Sequence, residues 1–190
     1  AVIIADVHTG EVLAYQGNTG LNEAEYSPWV DCASAPRSSG SILKPLLYAA
    51  SLDEGLITPD MLLSDVPTHF GSFSPKNFSG QFDGAVHASK ALSRSLNIPM
   101  VNLLNVYGYS KFHSDLRNTG LKTISKPAQH YGLSLILGGA EVKLDEVANV
   151  YCNMAQKLNN DEQTTLFFDK SDVVRSKNIK YSKESIYLTF

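Results

Sequence analysis

The run Ser39-Gly40-Ser41-Ile42-Leu43-Lys44-Pro45-Leu46-Leu47-Tyr48-Ala49-Ala50 decides how this chain is read. Leu43, Leu46, Leu47, Ala50 and Leu52 recur at helical spacing and Gly55 closes the pattern, so a helix is expected from Ser41 to about Glu54. Pro45 marks its start, because proline is tolerated only in the first turn and cannot donate back to Ser41. A helix so apolar from its first turn is expected to be central and buried. Ser41 then falls at or just before the helix N-terminus, where unpaired amides and the macrodipole favour developing negative charge. Ser41 and Lys44 stand three residues apart, on one helical face, so their Oγ and Nζ atoms can meet. Serine is a poor nucleophile near neutral pH until a base takes its proton, and a lysine that has lost its own proton can be that base. Ser39 and Gly40 are small enough to let a ligand approach the backbone. The pair alone proves little, since a chain of this length yields about one Ser-x-x-Lys by chance.

Composition narrows the field. The 190 residues are 43% hydrophobic, enough for one globular domain with a sizeable core. A net charge of -3 gives no reason to invoke nucleic acid or an anionic membrane. The basic stretch Lys170, Arg175, Lys177, Lys180 and Lys183 is interleaved with acids and reads as solvated surface. Cys32 and Cys152 have no metal-type spacing; Cys152 lies in an apolar run and reads as a buried small hydrophobe, with a disulfide left open. His8, His69, His87, His113 and His130 are dispersed, so no zinc site and no cofactor is assigned. No stretch approaches the roughly 18 apolar residues of a membrane-crossing helix.

Along the chain, Ala1–Val7 and Glu11–Tyr15 read as a hairpin about His8-Thr9-Gly10. Residue 1 already lies in a strand-like run, so the chain is expected to begin inside a larger protein. Two strands make a marginal sheet, and the edge around Val2–Val7 should be exposed and prone to pair with another chain. Gly17 to Asp31 is irregular; Tyr26 and Trp29 there could line a cleft, but are expected to pack against the core. Residues 56–84, with Pro59, Pro67 and Pro75, are expected to hold little regular structure. Further helices are expected over Val86–Ser95, Met100–Tyr107, Ser110–Thr119 and Glu141–Leu158. The tail beyond Thr164 has no clear pattern.

A second motif, Ser95-Leu96-Asn97, ends the Val86–Ser95 pattern. Alone it is ordinary turn chemistry, with Asn97 capping a helix end. Equally, a hydroxyl and an amide two residues apart can point into one cleft, the serine relaying a proton and the amide holding a carbonyl or orienting the lysine.

Ser-x-x-Lys followed some fifty residues later by Ser-x-Asn is an arrangement of penicillin-binding proteins and β-lactamases. The sequence around it resembles the transpeptidase domain of bifunctional (class A) penicillin-binding proteins, the 1C kind most closely. The stretches that carry the likeness are Ala14–Asn18, Arg37–Pro45, Leu52–Ile57, Pro75-Lys76-Asn77-Phe78, Ala91–Pro99 and Leu133–Glu141, in the expected order over roughly residues 1–158.

The resemblance implies an α+β fold of the penicillin-binding-protein and β-lactamase transpeptidase type. A mostly helical body would carry an N-terminal hairpin of an antiparallel sheet whose C-terminal strands are missing. Residues 1–190 would form the N-terminal major part of that one domain. It implies a D,D-transpeptidase acting on peptidoglycan stem peptides, in which Ser41 attacks the penultimate D-alanyl carbonyl, releases D-alanine and passes the acyl group to a neighbouring amine. Lys44 would accept the proton, Ser95 and Asn97 would complete the proton network, and β-lactams would leave Ser41 acylated. The location implied is the periplasm, or outer face of the cytoplasmic membrane, with the anchor outside this chain.

The departures matter. The family's third motif, Lys-Thr-Gly or Lys-Ser-Gly on a strand that binds the substrate carboxylate and supplies part of the oxyanion hole, is not among the 190 residues. Lys122-Thr123-Ile124 lacks the glycine and stands in the wrong place. Loss of one oxyanion donor costs about 10²–10³-fold in rate. A fragment, inactive or weakly active by itself, is therefore expected. Ser39 stands where 1C relatives often carry proline. A D,D-carboxypeptidase, a β-lactam sensor and a non-catalytic scaffold of the same fold are the alternatives; the long match beyond the motifs favours the synthase group.

Overall fold

The computed structural model describes residues 1–19, 29–176 and 179–190. In chain order the elements are β1 (Val2–Ala5), β2 (Val12–Gln16), β3 (Arg37–Ser38), α1 (Lys44–Asp53), β4 (Leu62–Asp65) and β5 (Gly84–His87). They continue with α2 (Ala88–Ser93), α3 (Asn97–Tyr107), α4 (Tyr109–Asn118), α5 (Ala128–Tyr131), a 3₁₀ turn (Gly132–Leu137), β6 (Glu141–Val142) and α6 (Leu144–Asn159). A short 3₁₀ turn (Lys170–Asp172) and α7 (Lys183–Thr189) complete them. The residues group into two compact units, one of residues 1–38, 116–125 and 141–180, the other of residues 39–115, 126–140 and 181–190.

In the first unit β1 and β2 form the expected antiparallel hairpin, with Ile3 opposite Tyr15 and Ile4 opposite Ala14. Gly10 closes its turn at φ +83°, and a Cβ there would lie 2.5 Å from Thr164 Oγ1, so both conformation and space require glycine. The far edge of β2 is taken in part by the Val12 amide, which donates to Phe167 O at 2.8 Å. The outer residues of β1 stay half in water, Val2 at 52% and Ile4 at 53%. Helix α6 packs on β1 and buries Val150, Cys152 and Met154. Asp145 and Glu146 in its first turn and Lys157 in its last suit the helix dipole, and Asn160 ends it in the left-handed conformation. Cys152 is buried as expected, and both cysteines are free thiols.

The second unit is built on α1. Seven of its ten residues are buried, including Leu46, Leu47, Tyr48, Ala49 and Ala50, and it packs against α2, α3 and α7. Asp53 at its C-terminal end accepts from the Ser182 amide at 3.0 Å, which pins the start of α7. His113 is buried in this unit with its ring nitrogen against Lys126 O at 2.9 Å, a satisfied core histidine.

Several expectations are corrected. Helix α1 begins at Lys44, not Ser41. Ser39–Leu43 form a tight turn in which the Ile42 amide reaches Ser39 O and the Lys44 amide reaches Ser41 O at 3.1 Å each. Residues 56–84 are not structureless, because Leu62–Asp65 pair antiparallel with Gly84–His87, Leu63 opposite Val86. That pairing takes Val86 out of the expected helix, consistent with the preference of β-branched residues for strands. Asn97-Ile98-Pro99 does not close a helix; it opens α3, with Pro99 in the first turn where a missing N–H costs nothing. Glu141 and Val142 pair with β3 before α6 starts at Leu144. Trp29 does not pack on the core: it is 90% exposed. Tyr26 lies outside the described residues.

Candidate active site

The turn before α1 presents Ser41. Gly40 stands at φ +51°, in the left-handed region that a residue with a side chain adopts at a cost. Ser39 is anchored by its amide to Ala140 O at 2.9 Å. Ser41 is exposed, and among the described residues neither its hydroxyl nor its amide has a hydrogen-bond partner. Lys44, one residue before Pro45, is buried in the unit, at 1% exposed.

The Lys44 ammonium has three partners. Nζ donates to Ser95 O at 2.7 Å, to Asn97 Oδ1 at 2.7 Å and to Ser95 Oγ at 3.2 Å. The second motif, more than fifty residues downstream, is thus brought onto the lysine of the first. No hydrogen bond joins Ser41 Oγ to Lys44 among the described residues. All three acceptors are neutral, so no countercharge offsets the loss of water, and burial lowers the Lys44 pKa to about 8. Once Lys44 is neutral its lone pair needs a donor. Of the three partners only the Ser95 hydroxyl can supply one, since a carbonyl and an amide oxygen only accept.

Ser95 is held by the way α2 ends. The Ser95 amide bonds to Leu92 O at 2.8 Å and the Leu96 amide to Ala91 O at 2.9 Å, the paired bonds of a Schellman motif. The left-handed position of that motif usually carries glycine. Here it carries Ser95 at φ +53°, a conformation costing a side-chain-bearing residue about 1–2 kcal/mol. The strained turn aims both Ser95 O and Ser95 Oγ at one nitrogen. Asn97 is the first residue of α3, and its Nδ2 donates to Lys76 O at 2.8 Å, which fixes the amide so that Oδ1 faces Lys44.

Sequence reasoning gave no role to the residues behind Asn97. Buried Asn77 accepts the Asn97 amide on Oδ1 at 2.9 Å and the Ile98 amide at 3.3 Å. Its Nδ2 donates to Asp65 Oδ1 at 2.7 Å and to Gln81 O at 3.0 Å. Asn77 lies in the Pro75–Phe78 stretch that resembles the family, but no spacing rule links it to Ser95 or Lys44.

Comparison with known proteins identifies the family. The penicillin binding protein transpeptidase domain matches residues 1–140. The chain belongs to the penicillin-binding protein transpeptidase family. It is 42% identical over 156 residues to penicillin-binding protein 1C of Escherichia coli, covering 82% of this chain and 20% of that protein. Penicillin-binding protein 1A of Rickettsia typhi is 27% identical over 161 residues, again 82% of this chain and 20% of the relative. The chain thus spans about a fifth of the length of these curated relatives. In fold it is similar to the apo transpeptidase domain of Burkholderia pseudomallei penicillin-binding protein 3, at a TM-score of 0.75 and 16% identity, covering 98% of this chain and 59% of that one. The penicillin-binding protein PonA1 of Mycobacterium tuberculosis gives a TM-score of 0.73 at 21% identity, over 97% and 52% of the two chains. The α+β transpeptidase fold read from the sequence is therefore the fold of the chain. Among the described residues no helix is long and apolar enough to cross a membrane, and no group of three His, Cys, Asp or Glu side chains could hold a metal.

Two outcomes follow. In lysine-selective NMR, Lys44 is expected to titrate near pH 8, well below the ordinary lysine value of about 10.4; a Lys44 signal titrating at that ordinary value would contradict its burial. Ser95→Gly relieves the left-handed strain and should leave the unfolding free energy unchanged or raise it by about 1 kcal/mol. The same change removes the hydroxyl that can donate to a neutral Lys44. Clear destabilisation in urea unfolding would show that Ser95 is not strained.

Proposed function

We propose that this chain carries the serine nucleophile and the lysine base of a peptidoglycan D,D-transpeptidase. The observation that carries the reading is Lys44: an amine out of water, held by the Ser95-x-Asn97 turn, with its pKa lowered to about 8, one turn from an exposed and unbonded Ser41 hydroxyl. A base poised near neutral pH is what an unactivated serine requires.

The steps are those of acyl transfer. The Ser41 Oγ attacks the penultimate D-alanyl carbonyl of a stem peptide while its proton passes to neutral Lys44. The C–N bond breaks, and the leaving D-alanine nitrogen takes that proton, relayed by Ser95, whose hydroxyl oxygen both donates and accepts at Lys44. An amine of a second stem peptide then attacks the ester carbonyl, its proton returns by way of Lys44 to Ser41 Oγ, and a crosslink is formed. A β-lactam enters the first step, but its leaving nitrogen stays tethered and Ser41 remains acylated. Asn97 orients Lys44, and the free Ser41 amide is available to an oxyanion. Such a reaction belongs on the outer face of the cytoplasmic membrane, where stem peptides are found. The open edge of β1, with Val2 and Ile4 half-exposed, suits pairing with another strand, including one from a second copy.

The reading is tested with a fluorescent penicillin on the full-length protein. Covalent labelling is expected, absent in Ser41→Ala and slowed about 10²–10⁴-fold in Lys44→Ala, the range of general-base catalysis. Because the neutral amine is the active form, the labelling rate should rise with pH and level off above about 8. Labelling that persists in Ser41→Ala, or a rate that falls as Lys44 loses its proton, would overturn the assignment. Size-exclusion chromatography of the 190-residue chain should show concentration-dependent association; a strict monomer argues against pairing at β1.

A further inference from the structure

We propose that Asn77, oriented by the buried carboxylate of Asp65, is the positioning residue that locks the Ser95-x-Asn97 turn onto Lys44. The inference rests on the acylation reading above for its consequence in rate, and on geometry alone for its structure.

The first amides of a helix have no partner within the helix. At α3 those of Asn97 and Ile98 are both given to Asn77 Oδ1. An asparagine side chain has two acceptor lone pairs and two donor hydrogens, and Asn77 uses all four, the donors going to Asp65 Oδ1 and Gln81 O. Asp65 is fully buried and its second oxygen accepts the Asp83 amide at 2.9 Å. A carboxylate only accepts, so it forces Asn77 to turn Nδ2 toward it and Oδ1 toward α3. The hydrogen bonds then run in one direction: Lys44 Nζ to Asn97 Oδ1, the Asn97 amide to Asn77 Oδ1, Asn77 Nδ2 to Asp65. Asn97 therefore starts α3 at a set position, two residues after the strained Ser95.

Asn77→Asp keeps the shape of the side chain but replaces the donor facing Asp65 with an oxygen. Penicillin acylation of the full-length protein should slow about 10²-fold, the usual effect of displacing a catalytic group by an ångström, and its pH midpoint should move up from about 8 as Lys44 regains water. The double variant Asp65→Asn with Asn77→Asp exchanges donor and acceptor across the same contact. It leaves an oxygen facing Gln81 O and brings the carboxylate one link nearer Lys44, so it should recover only part of the rate, clearly above that of the single variant. Wild-type rate and pH midpoint in Asn77→Asp would overturn the proposal, as would a double variant that folds but remains as slow as the single one. Hydrogen–deuterium exchange of the unmodified protein decides the structural claim whether or not Ser41 is acylated. The Asn97 and Ile98 amides should exchange as slowly as those inside α3. Fast exchange at these two positions would overturn the proposal however any variant folds, and absence of penicillin acylation with slow exchange would count against the transpeptidase reading alone.

Discussion

Taking the Lys44 amine out of water is the constraint around which the second unit is arranged. A buried ammonium is costly unless each of its protons finds an acceptor, and three are provided by two residues of one turn. The chemistry of those acceptors decides what the lysine can do. A carboxylate in their place would satisfy the protons better and hold the lysine charged, since an opposite charge within a few ångströms favours the ionised form. A carbonyl, a hydroxyl and an amide oxygen satisfy the same protons without countercharge, so the neutral amine becomes accessible near physiological pH. Solvation is lost and hydrogen bonds are kept, and that difference is what the proposed role of Lys44 as a base draws on.

Holding three acceptors against one nitrogen strains the backbone. The end of α2 is a motif whose left-handed position is usually filled by glycine, and Ser95 occupies it. Glycine would relax the turn but would remove the one partner able to donate to a neutral amine. The strain is offset by the two Schellman hydrogen bonds behind Ser95 and by Asn77, which takes the opening amides of α3 just beyond it. Local rules are broken at this turn and obeyed around it, the distribution expected where a fold holds a reactive geometry.

The same division explains what could be read from the sequence. The apolar repeat of α1, the stop at Gly55 and the start near Pro45 are local signals, and the helix lies within three residues of where they place it. Its register put Ser41 at the helix start and on one face with Lys44, but could not show that one would be exposed and the other buried, because Ser41–Leu43 leave helical register in a tight turn. Strand β4 was hidden because Leu62-Leu63 is a short run between prolines whose partner begins only at Gly84. The Val86–Ser95 pattern fitted a helix because Ala88, Ala91 and Leu92 do form one; Val86 is removed from it by pairing, a non-local event. Asn97 fitted a helix end equally well, since Asn-x-Pro is compatible with leaving one helix or entering the next. What distinguishes the two is Asn77, twenty residues upstream, and no periodicity reports a hydrogen bond across that distance.

The placement of charge around Lys44 carries the same logic further. The one buried carboxylate in the hydrogen-bond chain, Asp65, does not touch the lysine; the Asn77 side chain and the Asn97 residue stand between them. Direct contact would pair the charges and stabilise the ammonium, the outcome a base must avoid. With amides interposed, the carboxylate still dictates which way each neighbour turns, because it accepts and never donates. Its charge reaches the lysine only through the orientation of intervening dipoles and over a longer path, along which Coulomb attraction weakens. Asp65 thus supplies direction to the hydrogen bonds without touching the nitrogen that, on the proposed reading, loses its charge.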